Sequence, residues 1–149
     1  MMRFDGKVLI IGYGSVARCT LPILLKHIQI PYGNITIIDF EDKRSALKKW
    51  TNKGVTYLRQ RITPENIAVV LSEHLSPGGL LIDLSWNIDA KTIIKWCHDN
   101  EVLYINTSVE IWDSLSEIES KDPVEKSLYH RQLSLREMAK DWNGGTTAV

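Results

Sequence analysis

Two cysteines in 149 residues cannot build a disulfide scaffold, and five prolines with nine glycines are too few for a collagen-like or low-complexity chain. Charge of one sign is not in excess either. Eighteen lysines and arginines face 18 aspartates and glutamates, so no net field draws the chain toward nucleic acid or an anionic membrane, and neither is expected as a partner. Long hydrophobic runs are missing. The stretch Val8 to Ile11 is far too short for a signal segment or a membrane span, and only Arg3 and Lys7 precede it as cations. The chain also lacks a GxSxG nucleophile elbow, a P-loop lysine, an HExxH helix and paired CxxC spacing, which removes the usual grounds for hydrolase or zinc chemistry. No metal is expected. His27, His74, His98 and His130 are scattered, and adjacent Cys97 and His98 point to different sides of a helix. Cys19 and Cys97 read as small buried thiols, with a reducing, cytoplasmic compartment as the expectation.

What is present is an alternation of apolar strands and helices, with 44% apolar residues to supply a core. Val8 to Ile11 reads as a parallel strand covered on both faces, and a helix opens at Ser15, with Pro22 set to kink it. Strands follow at Ile35 to Asp39, Val55 to Leu58, Leu80 to Leu84 and Val102 to Ile105. Between them the sequence predicts helices over Lys43 to Asn52, from an N-cap at Thr63 to Leu75, and from a cap at Asp89 to Asn100. Five such strands predict a three-layer, doubly wound, Rossmann-like α/β fold. Residues 1–112 form the expected dinucleotide-binding core. Residues 113–149 read as an acidic connector, with Asp113, Glu117, Glu119, Asp122 and Glu125, then a helix from Leu128 to Trp142 and the start of a last strand at Thr146 to Val149. That sheet edge is expected to be incomplete, and an open edge favours a homodimer.

Gly12-Tyr13-Gly14-Ser15-Val16-Ala17 has the GxGxxA form at the junction of a strand and a helix. Gly12 suits the tight turn, Gly14 removes a side chain where a pyrophosphate must approach, Ala17 permits close helix packing, and the first N–H groups of the helix suit phosphates. Asp39, at the end of the second strand, is placed to accept ribose hydroxyls. It favours NAD over NADP by repelling a 2′-phosphate, although Lys43 and Arg44 stand close enough in sequence to offer phosphate contacts. The glycines would equally serve a plain strand-to-helix turn, and the basic group Lys43, Arg44, Lys48, Lys49 and Lys53 a solvated helix face. Ligands of open α/β sheets bind beyond the carboxyl ends of the strands, which singles out Asp83 to Asn87 and Asn106 to Trp112. Ser85 and Asn87 can bond ribose or nicotinamide groups, or cap local backbone. Glu110, near Trp112, suits a cationic substrate or an ordinary surface position.

With these residues in place, the chain resembles the N-terminal part of the bacterial homospermidine synthases, relatives of the saccharopine dehydrogenase-type enzymes. The resemblance is carried by the strand running into Gly12 to Arg18, then Thr20-Leu21-Pro22, Ile37-Ile38-Asp39, Asp83-Leu84-Ser85, Leu103 to Thr107, Val109 to Trp112 and Gly144-Gly145-Thr146-Thr147-Ala148-Val149. It implies a synthase in which bound NAD takes hydride from putrescine, a second amine displaces ammonia from the imine, and the reduced cofactor returns the hydride. It further implies cofactor contacts from Gly12, Gly14, Ser15, Val16, Asp39, Asp83, Leu84, Ser85, Asn106 and Thr107, and Glu110 as the carboxylate that positions the amine. Asp83 stands where the family often has asparagine, and Asn87 where it often has aspartate, which leaves that amine contact without its carboxylate. Family members continue into a second domain with further catalytic acids and a tryptophan, so the chain alone is expected to be inactive. Two other functions fit the residues. One is a saccharopine-type dehydrogenase, which would need a cation for its substrate's carboxylate, and the other is a nucleotide-binding module without chemistry.

Overall fold

The computed structural model describes residues 2–112, 122–124, 127–143 and 147–148. Most of the acidic connector therefore lies outside the described residues, as do Gly144 to Thr146 and Val149. The main sheet contains β2 (Val8–Ile11), β4 (Ile35–Asp39), β5 (Thr56–Arg59), β6 (Leu80–Asp83), β7 (Leu103–Asn106) and the two-residue β8 (Thr147–Ala148). Their order is β5-β4-β2-β6-β7-β8, with every neighbouring pair parallel. The chain thus winds outward from β2 in one direction, returns, and winds outward in the other, the doubly wound order expected from the alternating pattern. Two further short strands, β1 (Met2–Arg3) and β3 (Ile28–Gln29), pair with each other in a separate parallel sheet. Two-residue strands carry no periodicity that a sequence reading could detect.

The four residues of β2 are all buried, because its side chains alternate into two different cores. Val8 and Ile10, with Ile35, Ile37 and Ile82, pack under α1 (Ser15–His27) and α2 (Arg44–Thr51) through Ala17, Leu21, Leu47 and Trp50. Leu9 and Ile11, with Ile38, Leu81 and Tyr104, pack under α3 (Ile67–His74), α4 (Ala90–Asp99) and α5 (Leu128–Ala139) through Val70, Leu71, Ile93, Cys97 and Leu135. Three layers result. Pro22 lies inside α1, which continues past it to His27.

The helix ends correct the sequence reading in places. Asp89 caps α4 as expected, accepting from the backbone N–H of Thr92 at 2.7 Å. Thr63 does not cap α3. The helix begins at Ile67, because the Asn66 side chain accepts from Thr63 N at 2.8 Å and donates to Arg61 O at 3.0 Å, tying residues 61–66 into a local turn. Helix α5 stops at Ala139 instead of Trp142, whose ring stacks on His98 with centroids 4.1 Å apart. Cys97 is buried as expected, but Cys19 is exposed on the outer side of α1, since Ala17 and Leu21 take the inward positions.

Candidate functional site

At the carboxyl end of β2 the chain must turn sharply into α1. Gly12 does this with φ +86°, and a Cβ there would lie 2.7 Å from the carbonyl oxygen of Leu84. The β2–α1 loop therefore crosses directly over the end of β6, a passage only glycine permits. Gly14 differs. Its φ is −84°, and a Cβ would meet nothing within 4 Å. Its bare backbone faces open space at the first turn of α1, where unpaired N–H groups can receive an anion.

Asp39 fastens this loop to the end of β4. Its carboxylate, 8% exposed, accepts from Tyr13 N at 2.7 Å through Oδ2 and from Glu41 N at 2.8 Å through Oδ1. Each oxygen keeps acceptor capacity for a hydroxyl. The strand reading anticipated Asp39 as a ligand group, but not as the organiser of the loop. Just beyond it, the Tyr57 hydroxyl donates to Glu41 O at 2.7 Å and accepts from Lys43 N at 3.0 Å. Lys43 pairs with Glu41, and Arg44 with Asp42, so neither cation is unpaired. The Arg44 guanidinium holds the Asp42 carboxyl well below the ordinary range. The Arg61 guanidinium carbon lies 4.6 Å above the Phe40 ring.

Of these groups the two glycines, Asp39, Glu41, Lys43 and Arg61 line one crevice of about 500 Å³ across the ends of β2, β4 and β6, where the strand order reverses. Among the residues singled out in the sequence, it brings together Gly12, Gly14, Asp39, Leu84, Ser85, Asn87 and Lys43. It also contains Trp86, within the segment expected after the fourth strand, and Phe40, Glu41, Gln60, Arg61 and Ile62, which the sequence pattern does not single out. The rule that ligands sit beyond strand ends would have found Gln60 and Arg61 had it been applied after β5 as well. Ser15 and Val16 do not line it. They lie with Cys19, Thr20, Ile23 and Leu24 along a shallow apolar groove on α1.

A second group forms at the ends of β6 and β7, where Asp83 and Asn106 are register partners. Asp83 accepts from Ser85 N at 3.1 Å, Ser85 Oγ at 2.5 Å and Tyr104 Oη at 3.1 Å. Burial raises its pKa, these hydrogen bonds oppose that rise, and the nearby charge of Glu110 adds to it. Burial likewise pushes up the Tyr104 hydroxyl and takes the Cys97 thiol to about 12. Asn106 donates through Nδ2 to Ser108 O at 2.7 Å, while its buried Oδ1 has no partner. Such an orphaned acceptor is costly unless a ligand donates to it. Glu110 is half-buried, accepts from Ser108 Oγ at 2.9 Å, and its backbone carbonyl receives Ala90 N at 3.0 Å, which fixes its segment at the start of α4. Thr107 is exposed beside this group. Among the described residues no three His, Cys, Asp or Glu side chains gather as metal ligands, and no helix is long and apolar enough to cross a membrane.

The chain is similar in sequence and in fold to known proteins. The homospermidine synthase of Blastochloris viridis is 30% identical over 99% of the chain, and that of Mesorhizobium japonicum 27% identical over 99%. The chain spans 31% and 30% of their respective lengths. Among solved structures, the homospermidine synthase of Legionella pneumophila in complex with NAD superposes with a TM-score of 0.77 at 28% identity, covering 98% of this chain and 29% of that one. An oxidoreductase from Bacillus cereus, 12% identical with a TM-score of 0.50 over 99% of this chain and 33% of its own, shares the fold alone. The saccharopine dehydrogenase NADP binding domain matches as a family over residues 8–149, and the chain belongs to that family.

Proposed function

We propose that the chain is the cofactor-binding part of a homospermidine synthase and that it binds NAD in the crevice between β2, β4 and β6. The observation that carries this reading is the bare backbone of Gly14 at the start of α1, set in the same crevice as the Asp39 carboxylate. The first supplies N–H groups for a pyrophosphate and the second accepts the ribose hydroxyls at the other end. The packing of Gly12 over Leu84 keeps Ser85 and Asn87 beside that path, where they can bond the sugar and amide of the nicotinamide half. Bound NAD supplies a hydride acceptor that becomes the donor in the return step, so no net oxidation remains.

The chain's own residues then have the task of holding a diamine. Glu110, positioned by Ser108 and anchored on α4, offers a carboxylate to an ammonium group, and the Asn106 Oδ1 adds a neutral acceptor nearby in sequence and fold. An amino-acid substrate would require a cation opposite its carboxylate. Residues 84–90 and 107–112 contain no lysine or arginine, and the Arg131 guanidinium that α5 brings beside Glu110 is turned to the carbonyl of Val109 at 3.2 Å, so an amine such as putrescine fits better than a saccharopine-type substrate. Because the chain spans under a third of its relatives, the remaining catalytic groups are sought outside it.

A chimera tests the proposal. Replacing the matching segment of the Blastochloris viridis enzyme with this chain is expected to preserve homospermidine formation from putrescine, and Glu110→Gln within the chimera is expected to lower it by about 100-fold or more. A folded chimera that binds NAD but forms no homospermidine would contradict it.

A further inference from the structure

We propose that Glu41 is the residue that excludes NADP from the crevice, by consuming the charge of Lys43, the cation best placed to receive a ribose 2′-phosphate. The inference rests on the NAD reading above. The family takes its description from NADP, whereas the Legionella pneumophila structure contains NAD, and Asp39 alone does not decide between them. Both of its oxygens are already engaged by the backbone N–H groups of Tyr13 and Glu41, which partly neutralise it. A carboxylate tied down in this way repels a phosphate less than a free one.

The segment after Asp39 is built to hold a second acidic group in place. Tyr57 clamps it by bonding the carbonyl of Glu41 and the N–H of Lys43. Within this clamp the Lys43 ammonium pairs with the Glu41 carboxylate, and the Lys43 side chain is only 15% exposed while that of Glu41 is 58% exposed. Lys43 therefore cannot swing freely into solvent, and its charge is satisfied at the wall of the crevice that both residues line. The charges of Asp39 and Arg18 also reach it. Of the neighbouring cations, Arg44 is bonded to Asp42, Arg59 donates to the carbonyl of Phe40, and Arg61 lies over the Phe40 ring. A 2′-phosphate entering here would meet the Asp39 carboxylate, a mutually neutral Glu41–Lys43 pair and, from the β5 side, the Arg61 guanidinium, which keeps its charge over the Phe40 ring. Removing the Glu41 charge would leave one carboxylate and an unpaired, pre-positioned ammonium.

The test is calorimetric titration of NAD and NADP into the 149-residue chain as wild type, Glu41→Gln and Glu41→Gln/Lys43→Met, each checked for folding by its melting temperature. The quantity read is the ratio of the two dissociation constants within each variant, so a change in overall affinity cancels. Wild type is expected to prefer NAD. Glu41→Gln is expected to shift the ratio toward NADP by more than about twofold and up to about fivefold, the scale of one charge pair at a partly exposed site, and the added Lys43→Met to abolish that gain. A shift below about twofold in Glu41→Gln, or a gain that survives the loss of Lys43, would overturn the inference while NAD binding by the wild type upholds the cofactor reading. Failure of the wild type to bind NAD would overturn both.

Discussion

Gly12→Ala and Gly14→Ala, two residues apart, should have opposite consequences. At Gly12 the backbone φ of +86° costs an L-residue about 1–2 kcal/mol. The new Cβ would lie 2.7 Å from Leu84 O and 3.2 Å from Ser85 Cα, backbone atoms that cannot rotate away, and such overpacking adds about 1–3 kcal/mol. A loss of about 3 kcal/mol, at roughly 2–4 °C per kcal/mol for a chain of this size, lowers the melting temperature by about 6–12 °C. At Gly14 there is no steric neighbour within 4 Å and φ is −84°, so alanine should change stability by less than about 1 kcal/mol, its lower unfolded-state entropy offsetting a poorer helix cap. The methyl group would nevertheless occupy the space above the helix N-terminus and weaken NAD binding by about tenfold or more. Thermal melts and NAD titrations on both variants read the two effects separately. A Gly14→Ala chain that melts as low as Gly12→Ala, or a Gly12→Ala chain as stable as wild type, would refute the assignment of these glycines.

Asp39→Ala should both destabilise the fold and weaken NAD binding, because it leaves the N–H groups of Tyr13 and Glu41 without their acceptor; a loss of about 2–4 kcal/mol is expected in chemical denaturation, and a variant as stable as wild type would show that water replaces the carboxylate. Asp83 has a folded-state pKa above its ordinary 3.8, so the folded chain binds a proton that the unfolded chain has released, and stability falls as pH rises through and beyond that value. Asp83→Asn removes the effect: its melting temperature should gain on wild type as the pH is raised from about 4, whereas a gap independent of pH would contradict the burial argument. Thiol titration should find Cys19 reactive in the native chain and Cys97, buried with its thiol pushed up to about 12, reactive only on unfolding. Two fast thiols in the native state would contradict the packing of α4 on the sheet.

The central strands were legible because their signal is strong and local. Val8 to Ile11 and Ile35 to Asp39 are continuous apolar runs that a sheet buried on both faces requires, and they form strands with those bounds. The GxGxxA turn and its acidic partner were legible for a similar reason, since Gly12 and Asp39 answer to the local geometry of one loop. Less visible were features set by tertiary contact. Thr63-Pro64-Glu65 has the composition of a helix start, but Asn66 bonds back to Thr63 and Arg61 and delays the helix to Ile67. The apolar stripe of α1 did not reveal that Cys19 faces outward. Arg61 and Gln60 enter the crevice only because β5 lies beside β4 at the far side of the β2–β4 pair, a relation of strands far apart in sequence. The orphaned Oδ1 of Asn106 needed coordinates to be seen at all.

The most direct test of NAD binding at this crevice is an amide chemical-shift titration of the isotopically labelled chain with NAD. Saturable shifts are expected to cluster at Gly12 to Ala17, Asp39 to Lys43 and Leu84 to Asn87, leaving the distant strands β1 and β3 unmoved. Saturating NAD that shifts none of these amides in a chain shown to be folded, or that shifts a different surface, would contradict the account.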